Sequence, residues 1–158
     1  MTKAFTALSI LKLRDDGKVA LDAPAATYVP ELAGWKKPTA DSPPIRVREL
    51  ITHTAGFVTD DPWGDRQTPL PEDEFTRMLR DGVPFTRPTA TAMEYSNFGY
   101  ALLGRIVANT SGRAYKDYVQ ATLLGPLGMT STSYDVASAP PQRRALGYRW
   151  EDGAWTIE

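Results

Sequence analysis

Glu94-Tyr95-Ser96-Asn97-Phe98-Gly99-Tyr100-Ala101-Leu102-Leu103-Gly104 sets a polar triplet at the mouth of a strongly apolar run. Phe98, Leu102 and Ile106 recur at every fourth position, with Leu103 and Val107 beside them, so the spacing predicts a helix over 97–109. Gly99 and Gly104 each cost about 1 kcal/mol against alanine in a helix interior. The pattern tolerates them if another backbone packs close there. Tyr95 and Asn97 are two apart, so an extended approach to the helix points their side chains the same way. A phenol can pass a proton beside nearby cations, and a carboxamide can donate to a carbonyl and accept from an amine. The plainer reading makes Tyr95 a half-buried core ring, Ser96 an N-cap and Asn97 a first-turn residue. From these residues alone both readings stay open.

Outward from that stretch, the pattern is mainly α. Residues 2–15 read as a helix with Ala4, Ala7, Leu8 and Leu11 on one face and Phe5 and Ile10 widening it. Gly17 suits the left-handed stop. Residues 19–22 read as a short extended piece. Residues 28–32 read as a turn, and 45–52 as a short helix ending in His53-Thr54-Ala55-Gly56. Residues 57–70 read as a loop. Pro71-Glu72-Asp73-Glu74 is a strong helix start, because proline fits the first turn and the acids complement the dipole. A further helix is expected over 115–124, broken by Gly125-Pro126. The period then changes. Leu146, Tyr148 and Trp150 alternate with Gly147, Arg149 and Glu151, and Asp152-Gly153 is a hairpin signal. The expected architecture is mainly α with a C-terminal β-hairpin: a single partial domain, mostly helical over 1–135, with a strand hairpin over 144–158.

Composition narrows the chemistry. The 158 residues carry a formal net charge of −1 and no basic cluster, which argues against nucleic acid as a partner. The absence of cysteine removes disulfides, thiolate metal sites and cysteine nucleophiles. No apolar run is long enough to span a membrane, and the first residues lack the pattern of a signal peptide. No Walker or Rossmann glycine pattern occurs. His53 is the single histidine, and no Gly-x-Ser-x-Gly accompanies it, so it reads as a loop histidine bonded to backbone. Asp60, Asp61 and Asp65 lack EF-hand spacing and read as a solvated loop. No metal and no cofactor are expected. Lys3, in the first turn of an apolar helix, is a candidate base; its plainer reading is an exposed terminal lysine.

Five blocks in order carry a resemblance. They are Met1-Thr2-Lys3-Ala4-Phe5-Thr6-Ala7, Leu13-Arg14-Asp15-Asp16-Gly17-Lys18-Val19-Ala20-Leu21-Asp22, Leu50-Ile51-Thr52-His53-Thr54-Ala55-Gly56, residues 95–104, and Leu124-Gly125-Pro126-Leu127-Gly128-Met129. Together they resemble the serine β-lactamase superfamily, in particular the group of class C β-lactamases, D-alanyl-D-alanine carboxypeptidases and esterases. The resemblance implies the helical subdomain of an α+β β-lactamase/transpeptidase-like fold and a hydrolase working through an acyl-enzyme. Its substrate would be a small molecule or peptide: a β-lactam, a D-Ala peptide or an ester.

That group uses a Ser-x-x-Lys helix start, a Tyr-x-Asn loop and a Lys-Thr-Gly or His-x-Gly strand. By resemblance Lys3 is the motif lysine and Tyr95 the proton-shuttling tyrosine, both catalytic, and Asn97 orients the substrate. The nucleophile would lie one position before Met1, and the strand motif beyond Glu158. The chain is therefore expected to be an inactive piece of a longer hydrolase, or a binding or scaffold module derived from one. Its parent could be periplasmic or secreted. Ser9-Ile10-Leu11-Lys12 matches Ser-x-x-Lys literally but falls about nine positions late, which turns Ser9 roughly half a turn away from the motif serine. Ser9 is expected to be structural.

Overall fold

The computed structural model describes residues 1–59 and 70–157. The aspartates of the expected 57–70 loop lie outside the described residues. Among the described residues five α-helices precede one hairpin: α1 Thr2–Asp15, α2 Val47–Ile51, α3 Glu72–Asp81, α4 Asn97–Ser111, α5 Tyr115–Val119, β1 Tyr148–Glu151 and β2 Ala154–Ile157. Short 3-10 turns fill 25–27 and 30–34, and a π turn, Gln120–Leu124, continues α5. The helix expected over 115–124 is thus two different windings.

The α4 helix is the centre of the domain. Phe98, Leu102, Leu103, Ile106 and Val107 are fully buried, and α1, α2 and α5 pack around them. Its start is set by Ser96, which has extended backbone and accepts a hydrogen bond from the Gly99 N–H at 3.0 Å. Gly112, with a φ of 68°, ends it in the left-handed conformation. The plainer reading of Ser96 as an N-cap therefore holds. The glycines of α4 face side chains rather than backbone. Phe57 Cδ2 lies 3.8 Å from the place a Cβ on Gly99 would take, and Tyr115 Cδ2 3.7 Å from that on Gly104. Trp35 closes this end of the core, stacked on Phe98 at 6.1 Å with its Nε1–H donated to the Leu79 carbonyl.

The buried face of α1 differs from the expected one. Thr6, Ser9, Ile10 and Leu13 point inward, whereas Ala4 and Leu8 are exposed. Apolar and polar residues are both spread round the helix, so periodicity does not choose between faces. Two hydroxyls can be buried because each is satisfied locally. Ser9 Oγ donates to the Phe5 carbonyl at 2.8 Å, and Thr6 Oγ1 lies 3.3 Å from the Thr2 carbonyl and 2.7 Å from the Tyr115 hydroxyl. Ser9 is structural, as expected.

Two other expectations shift. The extended piece expected over 19–22 ends in a turn, pinned where the Arg48 N–H donates to the Leu21 carbonyl and the Arg48 guanidinium to Asp22. The second helix starts only at Val47, because the Ala25 N–H bonds the Ile45 carbonyl and holds residues 45–46 extended. Glu49 then reaches back to accept from the Arg46 N–H at 2.9 Å.

The hairpin forms as the Asp152-Gly153 signal predicts. Both turn residues have positive φ, 51° and 79°, and Trp150 pairs with Trp155. Tyr148, Trp150, Trp155 and Ile157 each remain more than half exposed. The hairpin is held mainly by its own ladder and the Trp150–Trp155 ring contact at 5.2 Å.

Candidate active site

Residues far apart in sequence meet at the N-terminus of α4. Lys3 comes from the first turn of α1, Tyr95 from the loop before α4, and Asn97 from the first residue of α4. Lys3 Nζ donates to Asn97 Oδ1 at 2.6 Å, and the Tyr95 hydroxyl donates to the same oxygen at 3.1 Å. With Oδ1 taken by these donors, the amide N–H groups of Asn97 are the part suited to a substrate carbonyl. The side chains of Tyr95 and Asn97 do point the same way, as their two-residue spacing predicts. Lys3 is only partly buried, with Nζ 4.8 Å from the Tyr95 ring centroid and 5.6 Å from that of Tyr100. Both distances are within cation–π range.

Two residues that sequence reasoning did not assign to the site complete it. His53 lies between Tyr95 and Tyr100, with ring centroids at 4.8 and 4.9 Å. Its Nδ1 accepts the Ser96 N–H at 3.2 Å, so it is bonded to backbone as expected, but to the backbone of the site loop. Burial, and then the charge of Lys3, push its pKa below the ordinary histidine value. Tyr100 donates its hydroxyl to the Ile51 carbonyl at 3.0 Å. Burial first, then Tyr95, push its pKa up. Its i+3 spacing from Asn97 was a legible sign that both share a helix face. The His53 bond to Ser96 has no sequence signal.

Beside this cluster runs a groove of about 770 Å³ lined by Lys3, Phe75, Asn97, Tyr100, Ala101 and Tyr115, among others. Its walls are mostly apolar, with polar groups supplied by Lys3 and Asn97 and also by Thr6, Glu72 and Arg105. Among the described residues no group of three His, Asp or Glu is placed to hold a metal ion. Among them, too, no helix is long and apolar enough to cross a membrane.

An amine, a phenol and a carboxamide thus converge at one helix start of a helical domain. A sequence model of the β-lactamase family matches residues 1–157. Protein flp of Staphylococcus aureus (strain COL) is 31% identical over 149 residues, covering 93% of this chain and 29% of that protein. The D-alanyl-D-alanine-carboxypeptidase/endopeptidase AmpH of Escherichia coli (strain K12) is 31% identical, covering 92% of this chain and 38% of its own length. The structure of a penicillin-binding protein from Bacillus halodurans superposes with a TM-score of 0.72 at 26% identity, over 98% of this chain and 48% of that one. The chain belongs to the β-lactamase family, a family of serine hydrolases. It spans less than half the length of each of these relatives.

Proposed function

We propose that Lys3, Tyr95 and Asn97 are the proton-handling and substrate-orienting part of an acyl-transfer site that acts on a β-lactam, a D-Ala peptide or an ester. The observation that carries this reading is one oxygen of Asn97 that accepts from both of the other two groups. Asn97 Oδ1 lies 2.6 Å from Lys3 Nζ and 3.1 Å from the Tyr95 hydroxyl, although Lys3 and Asn97 are 94 residues apart in sequence. Acyl transfer needs a proton taken from a nucleophile and returned to a leaving group, and an amine beside a phenol can do both. The family motif puts its serine three residues before the lysine, one turn back on the same helix face. That serine is not among residues 1–158, nor is the strand motif, so the chain as it stands should not turn over substrate.

Treating the 158-residue chain with a serine-reactive fluorophosphonate and weighing it intact is expected to give no adduct. A clean adduct would mean that some other hydroxyl is the nucleophile, and the assignment would fall. Titration with penicillin or a D-Ala-D-Ala peptide, followed by NMR, should move the signals of Lys3, Tyr95 and Asn97 first. Binding that leaves those three unmoved would equally overturn it.

A second reading, ligand binding without turnover, draws on the groove beside Lys3 and Asn97, which needs no nucleophile to hold an apolar ligand. A longer chain carrying a serine three residues before Lys3, together with the rest of the family fold, separates the two. Acylation favours the first reading, and binding without acylation the second.

A further inference from the structure

The loop that carries Tyr95 is not held by α4 alone. A strip of backbone at 53–57 stitches it down. The Glu94 N–H donates to the His53 carbonyl at 2.7 Å, the Ala90 N–H to the Thr54 carbonyl at 2.8 Å, and the Thr86 N–H to the Gly56 carbonyl at 2.9 Å. The Ser96 N–H donates to His53 Nδ1 at 3.2 Å. The bonds from residues 94 and 96 thus bracket Tyr95, and both end on one residue. His53 itself has a φ of 57°, a conformation uncommon outside glycine though less rare for histidine and asparagine. Strained backbone over-determined by its surroundings is a recurrent mark of residues that hold a site in place.

We propose that His53 is a positioning residue for the Tyr95/Asn97 pair. It works as a neutral ring that accepts at Nδ1 and carries its proton on Nε2, and protonating it releases the Tyr95 loop. This rests on the proposed acyl-transfer role of Tyr95 only for its functional meaning; the positioning itself is independent of any substrate. The chemistry is direct. An N–H donor needs a lone pair, and a protonated imidazole has none at Nδ1. A proton there would set two N–H groups against each other across 3.2 Å.

Among the described residues, the charged and titratable groups facing the ring are few. From α1 comes Lys3, whose charge opposes a second cation. The loop and α4 contribute Tyr95 and Tyr100. The nearby carboxylate of Glu94 is engaged by Arg87 and Thr59. The ring's lowered pKa agrees with this environment.

The test uses the 158-residue chain and reads position rather than turnover. Long-range nitrogen-15 NMR of the histidine ring should find the neutral form protonated at Nε2. The Ser96 amide and the Tyr95 ring signals should titrate with the His53 midpoint. His53→Ala should speed exchange of the Ser96 amide by roughly 3- to 10-fold, the loss of one hydrogen bond, and shift the Tyr95 ring signals. His53→Asn should reverse both changes, since its carboxamide oxygen takes the place of Nδ1 and asparagine tolerates positive φ. His53→Gln, whose oxygen takes the place of Nε2, should not. If the alanine variant does not fold, the wild-type titration decides alone. A ring protonated at Nδ1, or a Ser96 amide and Tyr95 ring indifferent to the His53 titration, overturns the proposal. Failure of substrate analogues to reach Tyr95 would overturn the acyl-transfer reading and leave these outcomes standing.

Discussion

Gly56→Ala should be among the most damaging single-methyl additions in this chain. Gly56 has a φ of 90°, and a Cβ built on it falls 2.4 Å from the Arg87 carbonyl oxygen and 3.3 Å from the Arg87 carbonyl carbon. Both neighbours are backbone, so no flexible side chain can yield. Left-handed strain in a non-glycine residue costs about 1–2 kcal/mol. Forcing a methyl into closed backbone adds about 1–3 kcal/mol. The sum is a loss of about 2–5 kcal/mol. Gly17→Ala is the internal control: its φ is 71°, but nothing lies within 4 Å of the new methyl. It should pay the strain alone, about 1–2 kcal/mol. Urea unfolding followed by far-ultraviolet circular dichroism measures both, provided the slopes match wild type. Gly56→Ala should be the more costly by about 1–3 kcal/mol. Equal losses within about 0.5 kcal/mol would refute the close approach between the 53–57 strip and the segment before Tyr95.

The remaining predictions use the same urea unfolding, with near-ultraviolet circular dichroism added for the hairpin. Leu13→Ala, at a fully buried position of α1, should cost about 2–5 kcal/mol. Leu8→Ala, at a side of α1 that is 47% exposed, should cost less than about 1 kcal/mol, and a reversal of that order would put the wrong face of α1 in the core. His53 has a folded pKa below its unfolded value of about 6.5, so the unfolded chain binds that proton more tightly. Its contribution to stability should be complete above that unfolded value and lost as pH falls through the folded one. His53→Asn should remove that pH-dependent component, and an unchanged profile would count against it. Trp155→Ala should abolish the near-ultraviolet signal of the Trp150–Trp155 pair yet leave global stability within about 0.5 kcal/mol, since that ring is 66% exposed.

Where the sequence was legible, one local rule sufficed. The α4 helix announces itself through four-residue spacing and a serine cap, and both act as expected. The hairpin turn follows from Asp152-Gly153 alone. Lys3, Tyr95 and Asn97 could be picked out by residue type and by resemblance, and they meet. The inward face of α1 was not legible, because apolar and polar residues are both spread round the helix and two of its inward positions are hydroxyls satisfied by their own helix. Nor was His53, whose role depends on a hydrogen bond between positions 53 and 96 that no local pattern encodes. The glycines of α4 misled for a related reason: spacing says that something must come close, not whether it is backbone or side chain.

The site therefore has two mechanical supports of different kind, joined at one oxygen. Lys3 is carried by α1, whose Ile10 lies roughly 10 Å further along the same rod and is fully buried in the core that α4 shares. Asn97 is the first residue of α4 itself. The backbone positions of Lys3 and Asn97 are thus set by the packing of two helices, which deform little without disturbing the core. Tyr95 lies outside both helices, and its reach to the same Oδ1 depends on His53 and on the close approach at Gly56. Substitutions should sort accordingly. Changes at Ile10 or Leu13 should move Lys3 relative to Asn97 and leave Tyr95 with α4. Changes at His53 or Gly56 should move Tyr95 and leave the Lys3–Asn97 bond intact. A site built this way can lose its phenol without losing its amine, so the two groups can be tested one at a time in the folded chain.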